Sequence, residues 1–171
     1  MHSLHRFSLR AVGSAVLLAL VATVVLSNPA ASAKSDPIVD VFVTGFISGF
    51  EKSTGVKVPD AEARCIGQKF LAKVSVDELS AVGKTGVLTA VQKTVLVQAM
   101  GGCVGPATYK AVLLRKLGPK FNTKQKTCIA DTALARLGVT NLLKLDFASF
   151  TGVPATAIQR QVTKIVANCL N

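Results

Sequence analysis

The chain has 171 residues, 20 Lys and Arg against 9 Asp and Glu, four Cys, no Trp, and half of its residues apolar. That apolar fraction excludes a disordered chain, and 13 glycines without a period exclude a collagen-like one. The formal charge of +11 points toward anionic partners and says nothing about fold.

Met1 to Arg10 carries Arg6 and Arg10 and no acid. Ala11 to Leu26 is an uncharged apolar run of 16 residues, Ser27, Asn28 and Pro29 interrupt it, and Ala31-Ser32-Ala33 follows. A basic start, a short apolar run and small residues at the cut are the parts of a secretory signal, with cleavage expected after Ala33. Sixteen residues fall short of the roughly 20 that span a bilayer, which disfavours a membrane anchor. The expected mature chain is secreted and forms one domain over 34–171. His2 and His5 leave with the signal, so the mature chain carries no histidine; it keeps 18 bases against 9 acids.

The first helix is predicted from Pro37, with Ser35 or Asp36 as its cap and Ile38, Phe42, Phe46 and Phe50 recurring every four residues until Gly55. Val41 to Thr44 also favour a strand. A second helix starts at Asp60 with Ala63, Ile66, Phe70 and Val74 on its apolar stripe. Ser75 and Glu78 then form a capping box for a short helix reaching Val82, broken at Gly83 and Gly86. A third long helix is expected over about 87–100, with Val91, Val95 and Ala99 on one face. In the second half, Pro106 opens a helix carrying Ala107, Ala111, Leu114 and Leu117, and Gly118-Pro119 stops it. Thr123 caps the next, which ends at Gly138; Thr140 caps a short one. Pro154 opens the last, with Ala157, Ile158, Val162, Ile165 and Val166 as its apolar face.

The two halves match at an offset of 63: Gly55 on Gly118, Lys57 on Lys120, Cys65 on Cys128, Ile66 on Ile129, Leu71 on Leu134, Leu79 on Leu142. Past Leu79 the offset becomes 66 and aligns Thr85-Gly86-Val87 with Thr151-Gly152-Val153 and Cys103 with Cys169. The fold class expected is all-α: a helical bundle of two tandem pseudo-symmetric repeats, about 37–103 and 106–170, each of three helices plus a short one.

All four cysteines lie in the exported portion, and an even number there argues for disulfides. Each repeat places one Cys in the second turn of its second helix and one just past its third. Antiparallel packing of those helices brings the two sulfurs to the same end, which predicts Cys65 with Cys103 and Cys128 with Cys169. With no CxxC and no histidine, a zinc site is disfavoured, and no metal or cofactor is expected.

The same missing histidine removes the usual general base, and capping accounts for several of the nine acids, so the expectation is a protein that is not an enzyme. A hydrolase would need two carboxylates gathered in one cleft. Gly83-Lys84-Thr85 lacks the earlier glycine and strand of a phosphate-binding loop. Gly45 and Gly49 suggest close helix packing, since Asp40 argues against a membrane helix.

Between Glu78 and Asp131 lie 52 residues without an acid. Six of the bases in that stretch, Lys110, Arg115, Lys116, Lys120, Lys124 and Lys126, are the candidate anion-binding patch, suited to lipid headgroups or wall polymer. With Trp absent altogether, base stacking is poorly served and sequence-specific nucleic-acid binding is disfavoured. Phe42, Phe46, Phe50 and Phe70 are candidates for lining an apolar pocket, with core packing as the alternative role.

Cys128-Ile129-Ala130-Asp131, following Thr123 and followed by Leu134, Gly138 and Leu142, resembles a helical cysteine module of small secreted proteins and lipoproteins of actinobacteria. The resemblance covers about 20 residues per copy, and the first copy departs from it at Gly67-Gln68. It implies a bacterial envelope setting and carries no catalytic residues. The functional expectation is therefore a secreted, non-enzymatic binding protein with a basic face for an anionic partner. A membrane-active antimicrobial protein and a carrier of an apolar ligand are the alternatives.

Overall fold

The computed structural model describes residues 37–85 and 87–170; the expected signal, its cleavage site and the first residues of the mature chain lie outside them. Eight α-helices and no strand occupy the described residues: α1 (Pro37–Thr54), α2 (Asp60–Leu71), α3 (Val76–Thr85), α4 (Ala90–Gly101), α5 (Pro106–Lys116), α6 (Thr123–Asp146), α7 (Ala148–Thr151) and α8 (Thr156–Leu170). The protein is all-α, as its periodicities predict.

Helix α1 shows why burial outweighs local strand preference at Val41 to Thr44. Val39, Phe42, Val43, Phe46 and Phe50 form one buried stripe at helical spacing, and each buried Phe contributes about 2–3 kcal/mol when it leaves water. An extended segment would send alternate members of that set into solvent. The rings continue the order inward. Phe42 stacks on Phe46 at 5.9 Å and on Phe70 of α2 at 5.3 Å, and Phe46 meets Phe50 at 5.7 Å.

Helix α1 packs on α2 and α2 on α4, while α5 packs on α6 and α6 on α8; contact between α4 and α6 joins the two halves. At that junction the Thr140 hydroxyl donates to the Gly101 carbonyl at 2.9 Å, and a Cβ on Gly101 would come within 3.1 Å of the Thr140 side chain. Helices α2 and α6 begin at Asp60 and Thr123, and α4 and α8 at Ala90 and Thr156, the offsets of 63 and 66 read from the sequence. Two disulfides close the halves, Cys65–Cys103 and Cys128–Cys169, with Cα separations of 5.7 and 5.8 Å. Both pairs are those the helix arrangement predicts.

Several boundaries and faces differ from expectation. Helix α3 continues past Gly83 to Thr85, since a helix tolerates a glycine at a cost of about 1 kcal/mol. Helix α4 starts three residues later than predicted, because Thr89 and Gln92 form a capping box there. Its core face also turns. Val91 is 73 % exposed and Val95 half-buried, while Ala99 is buried as predicted, together with Gln92, Leu96, Val97 and Met100. Helix α5 likewise buries Thr108, Tyr109 and Val112 rather than the predicted Ala107 face, following the Tyr109 ring into the core. Asn122, not Thr123, caps α6, again with a glutamine three residues on. Within α6, Gly138 at φ 70° and ψ 164° is not helical and separates limbs of 123–137 and 139–146, so the helix ends where predicted and a short one follows. The left-handed conformation there is one that glycine adopts without a Cβ penalty. In α8 only Ile165 of the expected face is fully buried. The short α7 was not predicted; Lys93 of α4 sits 4.9 Å over its Phe150 ring.

Candidate functional site

The six predicted patch bases do not act as one group. Lys110, on α5, pairs with Asp131 of α6 at 2.5 Å. Lys116, in the last turn of α5, reaches Asp146 at 2.6 Å, and the two side chains are only 24 % and 12 % exposed. Arg115 lies against Gly55, just past the end of α1, where its guanidinium would collide with any added Cβ. That leaves Lys120 in the α5–α6 connection and Lys124 and Lys126 in the first turn of α6. Lys120 and Lys124 are exposed, and none of the three has an acid within ion-pair distance among the described residues. Two of the six are therefore neutralised by acids lying just outside the acid-free stretch, which folding brings back to it.

Asp146 also accepts a hydrogen bond from the hydroxyl of Tyr109, whose side chain is 1 % exposed. Burial, then the Asp146 charge and the hydrogen bond to it, push the Tyr109 phenol well above its usual value. Tyr109, Asp146 and Lys116 thus form a half-buried polar knot that ties the end of α5 to the end of α6.

The four Phe residues considered for an apolar pocket are 7 %, 0 %, 2 % and 1 % exposed and belong to the hydrophobic core. They pack on one another, and none of them lines the groove found between α1 and α2.

That groove, of about 620 Å³, runs between α1 and α2 and is lined by Asp40, Val43, Thr44, Ile47, Ser48, Glu51, Lys52, Lys57, Asp60 and Arg64. Asp40, Thr44, Ile47, Ser48 and Glu51 fall at steps of four, three, one and three along α1, one helical stripe beside the buried one. Val43 and Ile47 form the apolar floor. Arg64 bonds Asp40 at 2.5 Å and closes the end nearest the start of α1. The short connection from Gly55 to Pro59 turns the chain back, so Glu51, Lys52, Lys57 and Asp60 gather at the opposite end. Three carboxylates, Asp40, Glu51 and Asp60, thus share one groove, and Asp40 is engaged by Arg64. None of these groove residues was singled out from the sequence as a site. The signal that could have found them is the polar stripe on α1, Asp40, Thr44, Ser48 and Glu51, which runs beside the Phe stripe.

Elsewhere, Glu62 of α2 accepts from the Thr108 hydroxyl at 3.0 Å and sits beside Gly105, at the start of α5, which has no side-chain cap and no acid of its own. Its other carboxylate oxygen is buried without a hydrogen-bond partner; the positive end of the α5 dipole faces that charge.

Comparison with protein-family models, with curated proteins and with solved structures finds no match to the chain.

Proposed function

We propose that this is an exported, non-enzymatic binding protein that engages an anionic surface through the bases at the start of α6. The resemblance to envelope proteins of actinobacteria, the basic leader followed by Ala31-Ser32-Ala33, and the two disulfides support export. The tandem-repeat reading rests on the matched offsets and on one disulfide in each half.

The observation that carries the binding role is the position of Lys124 and Lys126. Helix N-termini favour acids, and bases there cost a few tenths of a kcal/mol each; α6 has no acid in its first turn. With Lys120 immediately before, three bases meet at a helix start where they improve nothing inside the protein. An external anion turns that local cost into affinity. Lipid headgroups or an acidic wall polymer fit; the aromatic beside these lysines, Phe121, is half-buried and offers no open platform for stacked bases.

Co-sedimentation with vesicles tests the role. Binding to vesicles containing phosphatidylglycerol, and not to phosphatidylcholine alone, is expected. Each Lys near such a surface is worth about 1 kcal/mol, so Lys120→Ala with Lys124→Ala weakens binding about 30-fold at low salt. Equal binding to both vesicle types refutes the proposal. Release of an entrapped dye favours the membrane-active alternative instead, and lipid co-purifying with the protein favours the carrier.

A further inference from the structure

The groove between α1 and α2 lies apart from the lysines at the start of α6, and its polar residues other than the Asp40–Arg64 pair are not explained by packing. Four charged groups stand at one end, Glu51 and Asp60 with Lys52 and Lys57. Each acid has a base one to three positions away in the chain, yet none of the four makes an ion pair among the described residues. The Ser48 hydroxyl, one turn along, makes no hydrogen bond to the described chain either. Beyond it, Val43 and Ile47 offer an aliphatic floor, and the Asp40–Arg64 pair closes the far end. From Asp40 to Glu51 the stripe is about 16 Å long.

The second half shows what the helices require without a groove ligand. At the offset of 63, Thr44, Ser48, Glu51, Asp60 and Arg64 correspond to Ala107, Ala111, Leu114, Thr123 and Thr127. The helices α5 and α6 still pack on each other as α1 and α2 do. Of the groove's charged residues only Lys52, as Arg115, and Lys57, as Lys120, keep their charge. The acids and hydroxyls of the groove are therefore particular to the first half and are dispensable for helix packing.

We infer that this groove binds a free α-amino acid with an apolar side chain. A ligand for this end must carry both charges close together, because two acids and two bases share it. It must also continue into an apolar stem, because the floor beyond is aliphatic. An amino acid meets both demands: its ammonium faces Glu51 and Asp60, its carboxylate faces Lys52 and Lys57, and its side chain lies over Ile47 and Val43. The volume of about 620 Å³ falls in the range of small-molecule sites. A purely anionic ligand leaves Glu51 and Asp60 opposed to its charge, so this site and the lysine surface take different partners.

Titration of the intact, disulfide-bonded protein with L-leucine, followed by amide chemical shifts, tests the inference. Shifts are expected at Ser48, Glu51 and Asp60 and not at Lys120 or Lys124. N-acetyl-leucine and leucine methyl ester, each lacking one charge, bind at least about ten-fold more weakly. Glu51→Gln with Asp60→Asn, both at exposed positions, abolishes the leucine shifts while leaving vesicle binding unchanged; Lys120→Ala with Lys124→Ala does the reverse. No shift in the groove at about 10 mM leucine, shifts confined to other surfaces, or equal affinity for the blocked analogues overturns it. Failure here leaves the vesicle result standing, and the converse also holds.

Discussion

Replacing Asp146 with Ala removes the acceptor shared by Tyr109 and Lys116. The two donors respond differently. Lys116 is 24 % exposed along its side chain and swings its ammonium into water at small cost. The Tyr109 hydroxyl, on a residue 1 % exposed, has nowhere to turn, and an orphaned buried hydroxyl costs about 1–3 kcal/mol. Adding the lost charge-assisted bond to Lys116, the expected destabilisation is about 2–4 kcal/mol, well above that of an average surface substitution. In a domain of this size it lowers the thermal midpoint by about 6–14 °C. A double-mutant cycle isolates the cause. Tyr109→Phe alone costs about 1–2 kcal/mol, but in the Asp146→Ala background it costs nothing or restores stability, because no hydroxyl is left to satisfy. Phe46, fully buried at the corresponding place in the first half, shows that a phenyl ring suits such a position. Urea unfolding of the four variants with disulfides intact, followed by circular dichroism, measures the coupling. An Asp146→Ala effect below about 0.5 kcal/mol, or strict additivity of the two substitutions, refutes the reasoning.

The same knot governs alkaline behaviour. Because the folded Tyr109 phenol lies above its unfolded value of about 10, its contribution to stability is intact below that pH and is lost as pH rises beyond it; Tyr109 is the only Tyr and Trp is absent, so phenolate absorbance reports it alone and is expected to rise together with the loss of helical signal. Removing either disulfide as a Cys→Ala pair releases a loop of 38 or 41 residues and costs about 4 kcal/mol by chain entropy, measured as a lower urea midpoint. Glu62→Ala strips Thr108 of its partner and α5 of the acid at its start, with an expected loss of about 1–2 kcal/mol in the same assay.

The helices and the disulfide pairing were legible because both follow from spacing. Phe42, Phe46 and Phe50 at intervals of four are readable as one face, and two cysteines placed alike in each half meet wherever the helices pack antiparallel. Helix starts slipped where a side chain other than the obvious one made the cap, as at Thr89 and Asn122, both paired with a glutamine three residues later. The face of α5 was missed because Ala107, Ala111 and Leu114 outvote Tyr109 in a count of apolar residues, although one buried aromatic ring outweighs several alanines in area. The basic patch failed as a unit for a different reason. Asp131 and Asp146 lie outside the acid-free stretch in sequence, and only packing of α5 on α6 sets them against Lys110 and Lys116. Charge clusters are local in the chain, whereas neutralisation is decided in space.

The salt dependence of vesicle binding addresses the proposed role most directly. Lys120, Lys124 and Lys126 act near the surface, so affinity for phosphatidylglycerol vesicles is expected to fall steeply as the screening length contracts from about 30 Å at 0.01 M to about 8 Å at 0.15 M ionic strength, with the lysine-to-alanine double variant giving a shallower slope. An affinity unchanged by salt, or a slope that the double variant leaves intact, contradicts an electrostatic contact through the start of α6.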